Sequence, residues 1–271
     1  MNEPWFVNGV SAAVVPVDDR GLHYGHGLFE TMRLWCGEIP LWPRHRARLL
    51  RDAAVLGIVL DPPRIEHELC HALAHWPRDG VVKLIVTAGS GGAGYRGGTA
   101  PALSLLGYRP VPPPRASLRV RCCAHRLSHN PVLAGIKHLN RLDQVLAARE
   151  LPPAGEGLLC DHLDNVVEGL SGNLFVKVAT GWCTPTLIGS GVRGVMRELL
   201  LEEIFPALGI AVTERAIAPA ELATAAAMLL CNAVRGAEPI AVLEAPNRTF
   251  DIAPAQAVRR ELERRWPCFA S

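Results

Sequence analysis

Three consecutive prolines, Pro112–Pro114, lie inside "YRPVPPPRAS" and constrain this chain more than any other stretch. Each proline fixes φ at about −65° and lacks an N–H, so the run enters neither a helix interior nor a central sheet ladder. It favours an extended, semi-rigid connection. The 271 residues are long for one domain and comfortable for two. The reading is therefore a smaller N-terminal α/β domain over 1–110, a linker over 111–115, and a larger C-terminal domain over 116–271.

Both halves mix strand and helix patterns. "WFVNGVSAAVVPV" reads as strand, turn, strand, and "GLFETMRLWCGEIPLW" as a β-hairpin turning near Cys36-Gly37. Leu49, Ala53 and Leu56 recur at helical spacing, and Pro62-Pro63 open a second helix running to about Trp76. "VVKLIVTAG" and "ALSLLGY" read as strands on either side of the glycine-rich "GSGGAGYRGG". Beyond the prolines come a strand at about Leu118 to Ala124, a helix after Lys137, strands around "GLLCDHLDNVVEG" and "NLFVKVATGWCTP", and a helix from about Val192 to Phe205. A strand, a short helix, two strands and a C-terminal helix follow. The order predicts an α/β or α+β two-domain enzyme.

A formal net charge of +2 gives no reason to expect nucleic acid or an anionic membrane as partner. The most apolar stretch, "ATAAAMLLCNAV", is too short to span a bilayer, and the N-terminus lacks a basic segment followed by an apolar run. The eight cysteines form no C-x-x-C, which predicts reduced thiols in a cytoplasm.

Of 28 Lys plus Arg, only Lys83, Lys137 and Lys177 are lysine. Arginine does not lose its proton in proteins, whereas lysine does, and a neutral amine attacks carbonyl carbon. Lys83 and Lys177 read as outward-facing strand lysines. Lys137 follows "AGI" and precedes a helix patterned by Leu142, Val145 and Leu146. At a helix start the positive end of the dipole would lower its pKa. A solvated helix-start lysine is the competing reading.

"HELCH", His67 to His71, matches the H-E-x-x-H zinc pattern. At 100° per residue, Ile65, Leu69, Ala72, Leu73 and Trp76 share one face, and His67, His71 and His75 fall opposite. That predicts an amphipathic helix with solvated histidines, open at most to incidental metal, and no catalytic zinc.

"LAGIKHLNRLDQVLAA" closely resembles the lysine segment of the fold-type IV pyridoxal-phosphate family, the class IV aminotransferases, in its aminodeoxychorismate lyase branch. "DDRGLHYGHGLFETMR" resembles the family's N-terminal signature, "RHRARL" its H-x-x-R-L phosphate arginine, and "GSGGAGYRG" a lyase-type loop. "VVEGLSGNLFVKV" resembles its glutamate segment, "TPTLIGSGVRGVMRELL" its glycine-turn-helix, and "LLCNAVRGAEPI" its late strand. These six motifs, with the lysine segment, stand in family order.

The resemblance implies the fold-type IV architecture and bound pyridoxal 5'-phosphate. It makes Lys137 the Schiff-base lysine, Glu168 the partner of the pyridine nitrogen, and Arg48 a phosphate ligand. Val192 and Arg193 would lie in the phosphate-cradling turn, with Asn232 as a further contact. Asn140 would touch the cofactor's hydroxyl side, and Thr31 would help relay protons. The implied reaction takes 4-amino-4-deoxychorismate to 4-aminobenzoate and pyruvate, in a cytoplasmic homodimer. The alternative is a D-amino-acid or branched-chain aminotransferase. His26, Ala88 and Arg235 depart from the family pattern, and Ala88 and Arg235 leave the substrate carboxylate ligands open.

Overall fold

The computed structural model describes residues 4–12, 14–91, 94–96 and 100–270. Contacts divide it into two compact units. One holds the residues up to Pro112 together with Lys137–Asn140; the other holds Pro113–Ile136 and the residues from Arg141 onward. The division falls inside the proline run. The sequence reading assigned Lys137 to the C-terminal domain, whereas the structure builds its segment into the first unit.

The first unit contains β1 (Phe6–Val7), β2 (Val10–Ser11), α1 (Arg20–Tyr24), β3 (Gly27–Leu34), α2 (Trp42–Leu56), α3 (Pro62–Leu73), β4 (Gly80–Thr87) and β5 (Leu103–Arg109). Its sheet is antiparallel, in the order β2-β1-β5-β4-β3. Along β3, buried Leu28, Glu30, Met32 and Leu34 alternate with half-buried Phe29, Thr31 and Arg33. Period-2 alternation puts these sets on opposite faces. Helix α2 packs against β3. It buries His45, Arg48, Leu49, Asp52 and Ala53, a single face at helical spacing. Three of those five residues are ionisable, so α2 carries charge into the interior of the unit.

The expected hairpin after β3 is only a turn. Cys36 (φ 54°) and Gly37 (φ 86°) reverse the chain, and Trp35 and Glu38 exchange N–H···O bonds of 2.9 and 3.0 Å. Pairing ends there because Pro40 has no N–H and Trp42-Pro43 opens α2. Helix α3 starts on Asp61, whose carboxylate accepts the Arg64 N–H at 3.1 Å. Ile65, Leu69, Ala72 and Trp76 are buried, while His67, His71 and His75 are exposed. Glu68, the acid of "HELCH", is buried and bound by the Ser104 hydroxyl.

The second unit contains β6 (Leu118–Arg126), α4 (Leu142–Ala148), β7 (Glu156–Cys160), β8 (Val166–Gly169), β9 (Asn173–Val178) and β10 (Gly181–Pro185). Then come α5 (Val195–Leu199), a π-helical turn (Leu200–Ile204), α6 (Phe205–Ala207), β11 (Val212–Arg215), α7 (Pro219–Thr224), β12 (Ala227–Asn232), β13 (Gly236–Leu243), β14 (Arg248–Thr249) and α8 (Ala253–Arg265). Its sheet runs β11-β10-β9-β12-β13-β6-β7-β8, with β14 on β13. The pairs β10·β11, β13·β6 and β6·β7 are parallel. Leu158, Leu174, Val176, Met228 and Ile240 pack in its core.

Two helix starts differ from the sequence reading. Helix α4 begins at Leu142, five residues beyond Lys137. Lys137 is therefore not at a helix N-terminus, and the dipole argument for its amine does not apply. The second shift is at α5, which begins at Val195 instead of Val192. Its N-cap Gly194 is extended (φ −74°, ψ 138°).

Candidate active site

In the first unit, residues 137–139 extend the edge of β3. Leu28 and His138 form an antiparallel bridge. The Phe29 N–H donates to the Lys137 C=O at 3.0 Å, and the Leu139 N–H to the Gly27 C=O at 2.9 Å. The Lys137 N–H donates to Asp52 Oδ2 at 3.2 Å. The lysine main chain is thus held on both sides. Its Nζ stands 4.3 Å from the Phe29 ring centroid. Thr31 lies on the same face as Phe29, and Lys83 pairs opposite Thr31. Burial, and then Arg109, push the Lys83 pKa down. Asn140 is exposed, and its Nδ2 donates to the Gly25 C=O at 3.3 Å. Gly25 is the left-handed cap of α1, where a Cβ would stand 2.3 Å from Asn140 Oδ1.

Behind β3 lies a buried charge cluster. Arg48 Nε donates to Glu30 Oε1 at 2.8 Å, and Arg48 Nη2 donates to Glu30 Oε2. His45 Nδ1 lies 2.6 Å from that second oxygen. Burial alone would raise the Glu30 pKa, but Arg48 and then His45 hold it at about 2. Burial pushes His45 down against the pull of Glu30, with Arg48 and Lys137 adding to the downward push. A neutral His45 donates from Nδ1, and its buried Nε2 has no hydrogen-bond partner among the described residues. Sequence reasoning named Arg48 as a phosphate ligand and missed Glu30 and His45. Two of Arg48's donors go to Glu30. The signal was present: His45 opens the H-x-x-R-L motif, and Glu30 lies in the N-terminal signature.

That signature also organises the stretch after β4. Asp19 accepts the Gly21 and Leu22 N–H groups at 2.8 and 3.2 Å and the Thr87 hydroxyl at 2.6 Å. Arg20 donates to the Gly94 and Tyr95 carbonyls at 3.0 and 3.1 Å, and to His26 Nδ1 at 3.3 Å. His26 Nε2 lies 2.8 Å from the Leu56 C=O. Ala88 is buried and its N–H donates to the His26 C=O at 3.0 Å. Part of the glycine-rich stretch, residues 92, 93, 97 and 98, lies outside the described residues.

In the second unit, Glu168 on β8 is 5% exposed, and its Oε2 accepts the Val192 N–H at 2.8 Å. A Cβ at Gly191 (φ 83°) would sit 3.5 Å from that oxygen and 2.7 Å from Val167 Cγ1. The Arg193 N–H donates to the Gly135 C=O, and the Gly135 N–H to the Gly191 C=O, both at 2.9 Å. The Val192 and Arg193 N–H groups, expected to cradle a phosphate, are therefore engaged within the protein. The backbone donors of this turn lie one step later. The first intrahelical bond of α5 runs from the Glu198 N–H to the Gly194 C=O at 3.0 Å. The N–H groups of Val195 and Met196 precede it, at the positive end of the helix.

Asn173, also missed, fixes this turn. Its Nδ2 donates to the Val192 C=O at 2.8 Å, and a Cβ at Gly194 would come 2.1 Å from its Oδ1. Asn232 has a different task from the one expected. Its Oδ1 accepts the Val234 and Arg235 N–H groups at 3.0 and 2.9 Å, and its Nδ2 donates to the Ser171 C=O at 3.2 Å. It closes the β12–β13 turn, as short polar side chains commonly do. Arg235 donates to the Pro113 C=O at 2.8 Å. Among the described residues no group of three or more His, Cys, Asp or Glu side chains is placed to hold a metal ion.

The arrangement offers a fixed primary amine in one unit. In the other it offers a buried carboxylate beside a glycine turn that opens a helix. Residues 27–243 match the family model for amino-transferase class IV. The 4-amino-4-deoxychorismate lyase structure from Pseudomonas aeruginosa is 39% identical, covers 97% of this chain and 99% of its own, and superposes with a TM-score of 0.90. The aminodeoxychorismate lyase of Vibrio harveyi is 28% identical over 266 residues, 94% of this chain and 97% of the relative. The D-alanine aminotransferase of Bacillus licheniformis is 28% identical over 247 residues, 86% of this chain and 84% of the relative.

Proposed function

This chain belongs to the amino-transferase class IV family, and from that premise we propose that it is a lyase converting 4-amino-4-deoxychorismate to 4-aminobenzoate and pyruvate. Similarity to the Pseudomonas aeruginosa lyase over nearly all of both chains favours this branch. The observation that carries the chemistry is the fastening of Lys137, with its N–H on Asp52, its C=O on Phe29 and its amine against the Phe29 ring.

The family depends on pyridoxal phosphate, and the donor set fits that group. Lys137 offers an amine for the aldehyde carbon. Glu168 offers a buried carboxylate for the ring nitrogen. Gly191 and Gly194, where a Cβ would collide, open the backbone ahead of the Val195 and Met196 N–H groups, which suit a phosphate. Arg48, whose guanidinium is also held by Glu30, is assigned as a phosphate ligand, and Asn140 is assigned to the hydroxyl side. Val192, Arg193 and Asn232 then act by shaping the turns. When bound, the cofactor supplies an electron sink for negative charge at the substrate carbon that bears the amine.

Lys137, as a neutral amine, takes the proton from that carbon. Glu168 keeps a proton at the ring nitrogen, because a carboxylate beside it favours the charged form. Thr31, on the Phe29 face, passes protons to and from the lysine. The C–O bond at the neighbouring carbon breaks, and enolpyruvate leaves with the bonding pair and is protonated to pyruvate. The carbon ring becomes aromatic, and no second substrate is needed.

Incubation with aminodeoxychorismate alone is expected to give equal amounts of 4-aminobenzoate and pyruvate over many turnovers. No product, together with fast turnover of D-alanine or a branched-chain amino acid plus 2-oxoglutarate, would assign the chain to the aminotransferases. Among the described residues no helix is long and apolar enough to cross a membrane. We read the working enzyme as a cytoplasmic homodimer, which sedimentation at micromolar concentration checks.

A further inference from the structure

Asp52 has no place in the motifs that mark the site, yet it is 2% exposed on the buried face of α2. Burying a carboxylate is costly unless its oxygens are well partnered. One oxygen, Oδ1, accepts from Arg51, whose side chain is 41% exposed. A partner so open to solvent contributes little and gives no reason to bury the acid. The other oxygen, Oδ2, accepts the main-chain N–H of Lys137 at 3.2 Å. On the opposite side of the lysine the Phe29 N–H holds the C=O at 3.0 Å. These two bonds fix the peptide planes flanking the Lys137 Cα, and the amine swings from that point.

We infer that Asp52 is a positioning residue, which sets where the Lys137 amine stands by accepting the lysine's main-chain N–H. Burial raises the Asp52 pKa more than the Lys137 N–H, Arg51 and Arg48 lower it. The charged groups acting on it are Arg51 and Arg48 from its own helix, while Lys137, from the edge segment, acts through its main-chain N–H. The carboxylate is held at a cost to the fold, in a place where its hydrogen bond orients a reacting group. The inference rests on the reading of Lys137 as the reacting amine.

The test uses the cofactor-loaded enzyme and two neutral replacements. Asp52→Leu fills the space without an acceptor, and Asp52→Asn keeps an oxygen toward the Lys137 N–H. Misplacing a reacting group by about 1 Å costs roughly 100-fold. Asp52→Leu is therefore expected to lower kcat by about 10- to 100-fold, with KM little changed and Tm at or above the wild-type value. The pH at which the visible absorbance of the loaded enzyme changes should move with it. Asp52→Asn is expected to restore both kcat and the absorbance titration to near wild type.

Borohydride reduction of the loaded wild type comes first. Cofactor fixed on a peptide other than that of Lys137 overturns the reading of the lysine, and the inference with it. Cofactor fixed on Lys137, with Asp52→Leu matching wild type in kcat and absorbance titration, overturns the inference alone. So does Asp52→Asn falling as far as Asp52→Leu.

Discussion

Replacing Glu30 by glutamine tests the buried cluster behind the reacting lysine. The carboxylate is 1% exposed and held at about 2 against an ordinary 4.5. At 1.36 kcal/mol per pH unit, the interval from 4.5 to about 2 corresponds to about 3 kcal/mol of stability. The sign follows from the direction. A depressed carboxyl pKa stabilises the fold fully above 4.5, and that contribution is lost as pH falls toward 2. Glutamine removes the charge and leaves the guanidinium of Arg48, 3% exposed, without its carboxylate. Breaking a buried pair from one side costs roughly 3–5 kcal/mol. Urea unfolding of wild type and Glu30→Gln from pH 7 to pH 3 gives the comparison. The expected loss at pH 7 is about 3 kcal/mol, shrinking as the pH drops because only wild type depends on this ionisation. Parallel pH curves, or a difference below about 0.5 kcal/mol at pH 7, would refute the electrostatic account of the cluster.

Lys137→Ala should abolish turnover and leave the loaded protein without the lysine-dependent visible band, while Tm changes little; residual turnover above about 1% of wild type would count against the lysine. Glu168→Gln should keep cofactor content but cut kcat by about 100-fold or more, since a neutral amide does not hold the ring-nitrogen proton; normal turnover would remove Glu168 from that position. Replacing His67 and His71 together by alanine should leave activity within about 2-fold, because surface substitutions away from a site are near neutral; a loss repaired by added zinc would restore a metal role for "HELCH".

The apolar spacing of α2, the proline-led start of α3 and the histidine face of α3 were readable because each depends on local periodicity or on proline's missing N–H. Lys137 was singled out by its chemistry, but its surroundings were not legible. The bonds that place it come from Phe29 and Asp52, distant in sequence, and they stop the helix from starting where the apolar pattern suggested. The same limit applies at Val192 and Arg193. A glycine-rich turn before a helix suggests open N–H groups, yet Glu168 and Gly135 had taken these two, and only tertiary pairing reveals it. Asp52 and His45 were hidden for another reason: at helical spacing they stand where apolar residues would, and pattern alone does not predict a charged stripe turned inward.

The pairing of residues 137–139 with β3 has a consequence for how the chain is made. A ribosome releases β3 and its sheet well before the lysine segment, and about 25 residues separate Pro112 from Lys137. At roughly 5–20 residues per second, the outer edge of β3 waits on the order of seconds with its Phe29 N–H and Gly27 C=O unclaimed. An open strand edge is a template for the wrong partner. The segment that closes the edge is the one that brings the reactive amine. The amine is thus installed by the same event that ends the nascent chain's exposure to mispairing.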